Sequence, residues 1–178
     1  THDDAAGEAM DKAARAMGLP YPGGLNLDKA AANGDPKAFK LPHPRVDGAP
    51  YDFSFSGLKT AVLNIINSLK QKGEEVNVPD LGASYINAVV DCLCGNTQKA
   101  AENLGYKKIV LAGGVSANSV LRRRMTELCQ KKNWSLYYPE LKYCGDNGAM
   151  VAAQGYYEFV GGNTASLDLN AVASLSIE

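Results

Sequence analysis

Apolar residues recur along this chain with two different periods, and the alternation between them sets out its elements. Ala6, Met10, Ala13, Ala14 and Met17 fall at helical spacing and predict a helix over residues 4–17, stopped by Gly18-Leu19-Pro20. Asp4, Glu8, Asp11 and Arg15 lie on another face of that helix. Glu8–Lys12 and Asp11–Arg15 are i,i+4 pairs, each contributing about a few tenths of a kcal/mol. A short helix is expected from Asn26 or Asp28 to Ala32, closed by Asn33-Gly34. Leu58, Val62, Ile65, Ile66 and Leu69 form the apolar face of another helix, with Ser56 as its cap. Ile86, Val89, Val90, Leu93, Ala100 and Leu104 line a long one over about 80–104 that ends at Gly105. Two-residue alternation over Tyr51–Ser56 reads as a half-buried strand, and Phe39–Leu41 as a short extended piece.

The second half contains the stretch that organises the rest, Ile109-Val110-Leu111-Ala112-Gly113-Gly114-Val115-Ser116-Ala117-Asn118. A β-branched run over 107–112 breaks at two glycines. Three potential caps follow (Ser116, Asn118, Ser119), then a helix over 119–132. Ser135–Tyr138 is the next strand, so a βαβ unit with parallel strands and a right-handed crossover is expected. Strand, glycine turn and helix together let backbone N–H groups approach an anionic or nucleotide ligand. A last helix follows, capped by Asp146 or Asn147 and ending near Phe159; 164–178 is left as an unassigned tail.

Between these elements, Pro20-Tyr21-Pro22-Gly23-Gly24 is a rigid turn whose glycines allow close backbone approach. Residues 35–50, with Pro36, Pro42, Pro44 and Pro50, read as surface loop. The 178 residues suffice for one sizeable domain or two small ones, burying about 70% of the surface that the unfolded chain exposes. A net charge of −1 argues against an extended electrostatic groove for nucleic acid. Arg122, Arg123, Arg124, Lys131 and Lys132 still give the 119–132 helix a basic face, read mainly as solvated surface, with phosphate contact as the minority reading. Cys92, Cys94, Cys129 and Cys144 form no Cys-x-x-Cys and have no neighbouring His, which favours reduced cytosolic thiols. No apolar run is long enough to span a bilayer and no signal peptide is visible. Opening at Thr1 within a polar helix, the chain reads as part of a longer protein.

Five stretches, in order, carry a specific resemblance: Asp3–Lys12, Tyr21-Pro22-Gly23-Gly24, Asp52–Thr60, Ala112–Asn118 and Asp146–Met150. Together they resemble the carboxyl-terminal half of the bacterial tRNA N6-adenosine threonylcarbamoyltransferases, a family once described as O-sialoglycoprotein endopeptidases. The resemblance implies an α/β, actin-like and sugar-kinase-like ATPase fold. Residues 1–163 would form the carboxyl-terminal lobe, with 4–17 an interdomain helix and 146–159 the last helix, the amino-terminal lobe being absent. It implies transfer of threonylcarbamoyl from threonylcarbamoyl-AMP to N6 of the adenosine beside the tRNA anticodon, in the cytoplasm. It places substrate binding on Asp11, Gly24, Asp28, Gly113, Gly114 and Asn118, with threonylcarbamoyl-AMP, ATP or ADP as the nucleotide, and a metal on Asp146. No catalytic residue is assigned.

The family holds that metal, usually iron as Fe(2+), with two further histidines at i and i+4. His2 and His43 do not form that motif, so this chain alone is expected to hold no functional metal and to have little or no transferase activity. The expected partners are tRNA, a paralogous ASKHA-fold subunit and an ATPase subunit, with a homodimer among the allowed assemblies and no membrane. Two rival readings are an ATP-dependent kinase of the same superfamily and a non-catalytic scaffold paralogue.

Overall fold

A buried hydroxyl contact fixes how the helices of this chain meet. Tyr85 Oη, in the middle of helix α4 (Val78–Leu104), donates to the backbone carbonyl of Ala9 in helix α1 (Ala6–Ala16) at 2.9 Å. The computed structural model describes residues 1–43 and 46–174. Pro44 of the predicted surface loop and 175–178 of the predicted tail lie outside the described residues. The chain divides into two compact units, Thr1–Cys144 and a second beginning at Gly145.

In the first unit α4 is the central element. Asn77 Oδ1 accepts the Asp80 N–H at its start, and Gly105, with a φ of 75°, ends it. Leu81, Tyr85, Ile86, Ala88, Val89 and Val90 are all buried, so this half of α4 is covered on most of its circumference. Around it pack α1, α2 (Gly23–Ala30) with a 3-10 turn at Ala31–Asn33, α3 (Ser56–Gln71) and α5 (Ser119–Lys132). Burial pushes the Tyr85 phenol well above its usual pKa, which keeps it a hydrogen-bond donor.

The α1 face is as its spacing predicts, with Ala9, Met10, Ala13 and Ala14 inward. Lys12 pairs with Asp4 at 2.6 Å and with Glu8 at 2.8 Å, whereas Asp11 turns away from Arg15 to accept the Gly24 N–H. At Gly23 the backbones of α1 and α2 come so close that an added Cβ would lie 2.6 Å from the Asp11 Cα. Helix α2 begins at this glycine, ahead of the predicted start at Asn26 or Asp28, because the 22–24 turn already has helical hydrogen bonding, with Asn26 N–H donating to Pro22 O.

Strand β1 (Lys108–Val110) and strand β2 (Ser135–Tyr137) pair in parallel across α5, in the register Lys108↔Ser135, Ile109↔Leu136 and Val110↔Tyr137. The βαβ unit thus forms where the sequence places it, with Asn118 capping α5 through the Leu121 N–H at 2.9 Å. Ile109 and Leu136 pack toward the core.

Neither Tyr51–Ser56 nor Phe39–Leu41 is a strand. The alternation at 51–56 does record burial, since Phe53 and Phe55 turn inward and stack 5.9 Å apart. The backbone donors at the end of this segment are taken by Asp3, which accepts Phe55 N–H at 2.7 Å and Ser56 N–H at 3.3 Å, together with the Ser54 hydroxyl at 2.6 Å. Asp3 therefore does for α3 what the sequence assigns to Ser56. At 39–41 the Phe39 N–H goes to Ser84 Oγ and Leu41 is buried.

Three of the five basic residues of α5 pair within the protein, while Arg123 and Lys131 are exposed. Arg122 donates to Ser116 O at 2.6 Å and Pro139 O at 2.8 Å and lies over the Tyr138 ring. Arg124 pairs with Asp91, and Lys132 with Glu102, both at 2.6 Å. All four thiols are buried, and burial pushes Cys94 up to about 11.

The second unit carries α6 (Gly148–Val160), capped by Asn147 Oδ1 on the Met150 N–H at 3.0 Å. None of its residues is buried. Among the described residues no helix is long and apolar enough to cross a membrane.

Two outcomes follow from this packing. The hydrogen bonds from Ser54, Phe55 and Ser56 hold the Asp3 carboxyl well below the usual carboxylate range. Its stabilisation is thus complete above the ordinary Asp pKa of about 4 and is lost as pH falls through and below that value. Asp3→Asn should lower stability by about 0.5–2 kcal/mol at pH 7, and the gap from the parent should narrow below about pH 4 in urea melts. Gly23→Ala should destabilise by about 1–3 kcal/mol in the same assay, because its methyl meets backbone.

Candidate functional site

One cavity of about 740 Å³ in the first unit is lined by four separate segments: the start of α1, the start of α2, the middle of α4, and the run from β1 to α5. Asp11, Gly24, Asp28, Gly113, Gly114 and Asn118 all line it. The sequence thus names six residues from distant parts of the chain that the fold brings to one wall.

Asp11 reaches the cavity from the solvent side of α1 because the Gly24 N–H, 2.9 Å from its Oδ1, draws it there. Its second oxygen has no hydrogen-bond partner among the described residues and is free to accept. Asp28 is more heavily engaged. Its Oδ1 accepts from Asn118 Nδ2 and from Ser119 Oγ, each at 3.0 Å, and its Oδ2 from the Ser119 N–H at 3.3 Å. An ionised carboxylate has about four acceptor positions, so three bonds leave room for another donor. Asp28 also faces the first turn of α5, where the helix dipole favours negative charge.

Asn118 is 7% exposed, and both ends of its amide are used: Nδ2 on Asp28, Oδ1 on the Leu121 N–H. It holds the wall in shape as well as lining it. Gly113 has a φ of 84°, which a side chain rarely adopts, and this turns the chain from β1 into a single 3-10 turn at Gly114–Ala117. Around Gly24, Gly113 and Gly114 an added Cβ would meet nothing within 4 Å. Their backbone is bare toward open space, as close ligand approach requires.

Sequence reasoning did not find two of the contacts that shape this wall. Ser119 ties Asp28 down with both side chain and backbone, a partner 91 positions away that no local pattern signals. Ser116 is buried at 2% exposure, and its Oγ has no partner among the described residues. Its carbonyl is held by Arg122.

Asp146 belongs to the second unit, where it is exposed and precedes the capping Asn147. Its carboxylate has no partner among the described residues. Among those residues no three His, Cys, Asp or Glu side chains come together as a metal-holding group. A transition metal takes four to six ligands, and one carboxylate does not fit it.

The family described as tRNA N6-adenosine threonylcarbamoyltransferase matches residues 1–153. Curated proteins bearing that name are similar along nearly the whole chain. The Desulfitobacterium hafniense (strain Y51) protein is 48% identical over 177 residues. The Clostridium botulinum (strain Kyoto / Type A2) protein is 46% identical over 177 residues, and that of Clostridioides difficile (strain 630) 47% over 177. Each comparison covers 99% of this chain and 52% of the relative, so the chain spans about half the length of the curated relatives it matches. With matches of this extent, the chain belongs to the tRNA N6-adenosine threonylcarbamoyltransferase family.

Proposed function

We propose that this chain is the carboxyl-terminal half of an enzyme that forms threonylcarbamoyladenosine in tRNA, and that its cavity holds the adenosine side of threonylcarbamoyl-AMP or of ATP or ADP. The observation that carries this reading is the convergence of Asp11, Gly24, Asp28, Gly113, Gly114 and Asn118 on one cavity wall. The free oxygen of Asp11 and the remaining acceptor position of Asp28 suit ribose hydroxyls. The bare backbone at Gly24 and Gly113-Gly114 suits an adenine face and a phosphate.

In the reaction of the whole protein, N6 of the tRNA adenosine attacks the carbamoyl carbonyl of the adenylate. The new C–N bond replaces the bond from carbon to phosphate oxygen, AMP leaves with that electron pair, and N6 loses a proton. The residues of this chain bind and orient the nucleotide, and no general base is assigned among them. In the family the metal is iron, with Asp146 as one ligand; the donors described here do not fit it, and no step is routed through it. This reading makes tRNA the acceptor and puts the enzyme in the cytoplasm with a paralogous ASKHA-fold partner and an ATPase subunit. The actin-like carboxyl-terminal lobe over 1–163 belongs to the same proposal.

Calorimetry with ADP and with threonylcarbamoyl-AMP on the full-length protein tests it. Asp11→Ala and Asn118→Ala should each weaken binding by about 1–3 kcal/mol, the cost of a lost buried hydrogen-bond partner. Both variants should also lower the melting temperature, Asn118→Ala by uncapping α5 and Asp11→Ala by releasing the Gly24 N–H. Unchanged affinity in both variants would take the nucleotide out of this cavity. Phosphoryl transfer to a small alcohol, without acyl transfer to tRNA, would assign the protein to the kinases instead.

A further inference from the structure

Arg122 uses its guanidinium differently from the other paired cations of α5. Arg124 and Lys132 meet carboxylates, Asp91 and Glu102, at 2.6 Å. Arg122 is half-buried and meets no carboxylate among the described residues; all of its acceptors are uncharged. Nε donates to Ser116 O at 2.6 Å, and Nη2 donates to Pro139 O at 2.8 Å and to Cys144 Sγ at 3.1 Å. The guanidinium carbon lies 4.5 Å from the centre of the Tyr138 ring. Its donors therefore fix main-chain positions on two separate segments.

The first segment is the turn that walls the large cavity. Ser116 belongs to the 3-10 turn Gly114–Ala117, which Gly113 opens. Asn118 fastens the far end of that turn to Asp28 on α2, and Arg122, one helical turn further along α5, fastens Ser116 to the opposite side. The second segment runs from Tyr138 to Cys144, where the first unit ends. It is lightly held: Tyr138, Leu141 and Tyr143 are exposed, and its regular structure is the single 3-10 turn Leu141–Tyr143. Arg122 supplies two hydrogen bonds to it, one at each end of that turn. A segment with few buried apolar contacts opens at low free energy, so a small change in how Arg122 is held changes how often it opens.

We infer that Arg122 is a positioning residue that joins the nucleotide turn to the Tyr138–Cys144 segment, so that nucleotide in the cavity and order in that segment stabilise one another. This rests on the proposed nucleotide reading and extends it from where the ligand is held to what its arrival restrains. A ligand seated against Gly113 and Gly114 restrains the turn and the Ser116 carbonyl with it. Nε and Nη2 belong to one rigid planar group, so a shift of the Ser116 carbonyl is passed to the donors that face Pro139 and Cys144. A lysine in the same place has a single point of attachment and passes nothing on. By linkage, the factor by which nucleotide suppresses opening of the segment equals the factor by which opening weakens nucleotide binding.

Amide hydrogen exchange on the full-length protein, with and without saturating ADP, tests the coupling. In the parent, the Tyr143 and Cys144 amides, which donate to Glu140 O and Leu141 O, should exchange at least about fivefold more slowly with ADP. Amides of α3, which Arg122 does not touch, should change less than about twofold. Arg122→Lys keeps the charge and loses the fork. It should bring the ADP effect at Tyr143 and Cys144 below about twofold, and weaken ADP binding in calorimetry by no more than the factor lost. A guanidinium that only stabilises the fold would speed exchange equally with and without ADP in the variant and leave the ADP effect intact, and that result would overturn the inference. So would ADP binding to the parent that leaves exchange at Tyr143 and Cys144 unchanged, a measurement that needs no variant to fold. Absence of ADP binding to the parent removes the proposed function and the coupling together, whereas binding without protection removes the inference alone.

Discussion

A single carboxylate, that of Asp28, ties two parts of the cavity wall together. It lies on α2, yet its partners Asn118 and Ser119 open α5, ninety positions later in the chain. Through them it fixes where the Gly113–Ala117 turn ends and where α5 begins. Asn118 in turn caps α5, so one chain of hydrogen bonds runs from α2 through Asp28 and Asn118 to the Leu121 N–H. The Asp11–Gly24 bond performs the matching task between α1 and the start of α2. The polar groups that line the cavity are thus also its scaffold.

The elements of this chain were legible in its sequence wherever one local signal decided them. Helix α5 runs over 119–132 as its spacing and its Asn cap require, and α4 ends at Gly105 because only a left-handed residue releases the chain there. The parallel pair followed from strand, helix and strand in close succession. The alternation at 51–56 failed as a strand for a clear reason. Alternation reports which side chains are buried, and pairing depends on where the backbone donors go. Those donors go to Asp3, about fifty positions upstream, and nothing near 51–56 announces it.

The candidate site is a different case. Local pattern alone left Asp11 on a solvated helix face and left Gly113-Gly114 as a generic phosphate turn. The ordered set of motifs singled out the six residues, and the fold gathers them on one wall. What remained hidden was the internal duty of each polar group: Asn118 spends both ends of its amide within the protein, and Ser119 enters as a partner of Asp28. Such contacts join residues far apart in sequence, so spacing rules carry no trace of them.

The four buried thiols turn this architecture into its own reporter. Cys92 and Cys94 lie on α4, Cys129 on α5, and Cys144 against the Arg122 guanidinium at the end of the first unit. A thiol reacts as thiolate and only when reached by solvent. Alkylation in the folded protein therefore proceeds only through transient opening, and its rate at each cysteine measures the free energy of exposing that layer. Cys92 and Cys94 time the separation of the central helix, Cys129 the lifting of α5, and Cys144 the release of the last turn of the unit. The chain thus carries, without added labels, a set of clocks spaced along the path by which it comes apart.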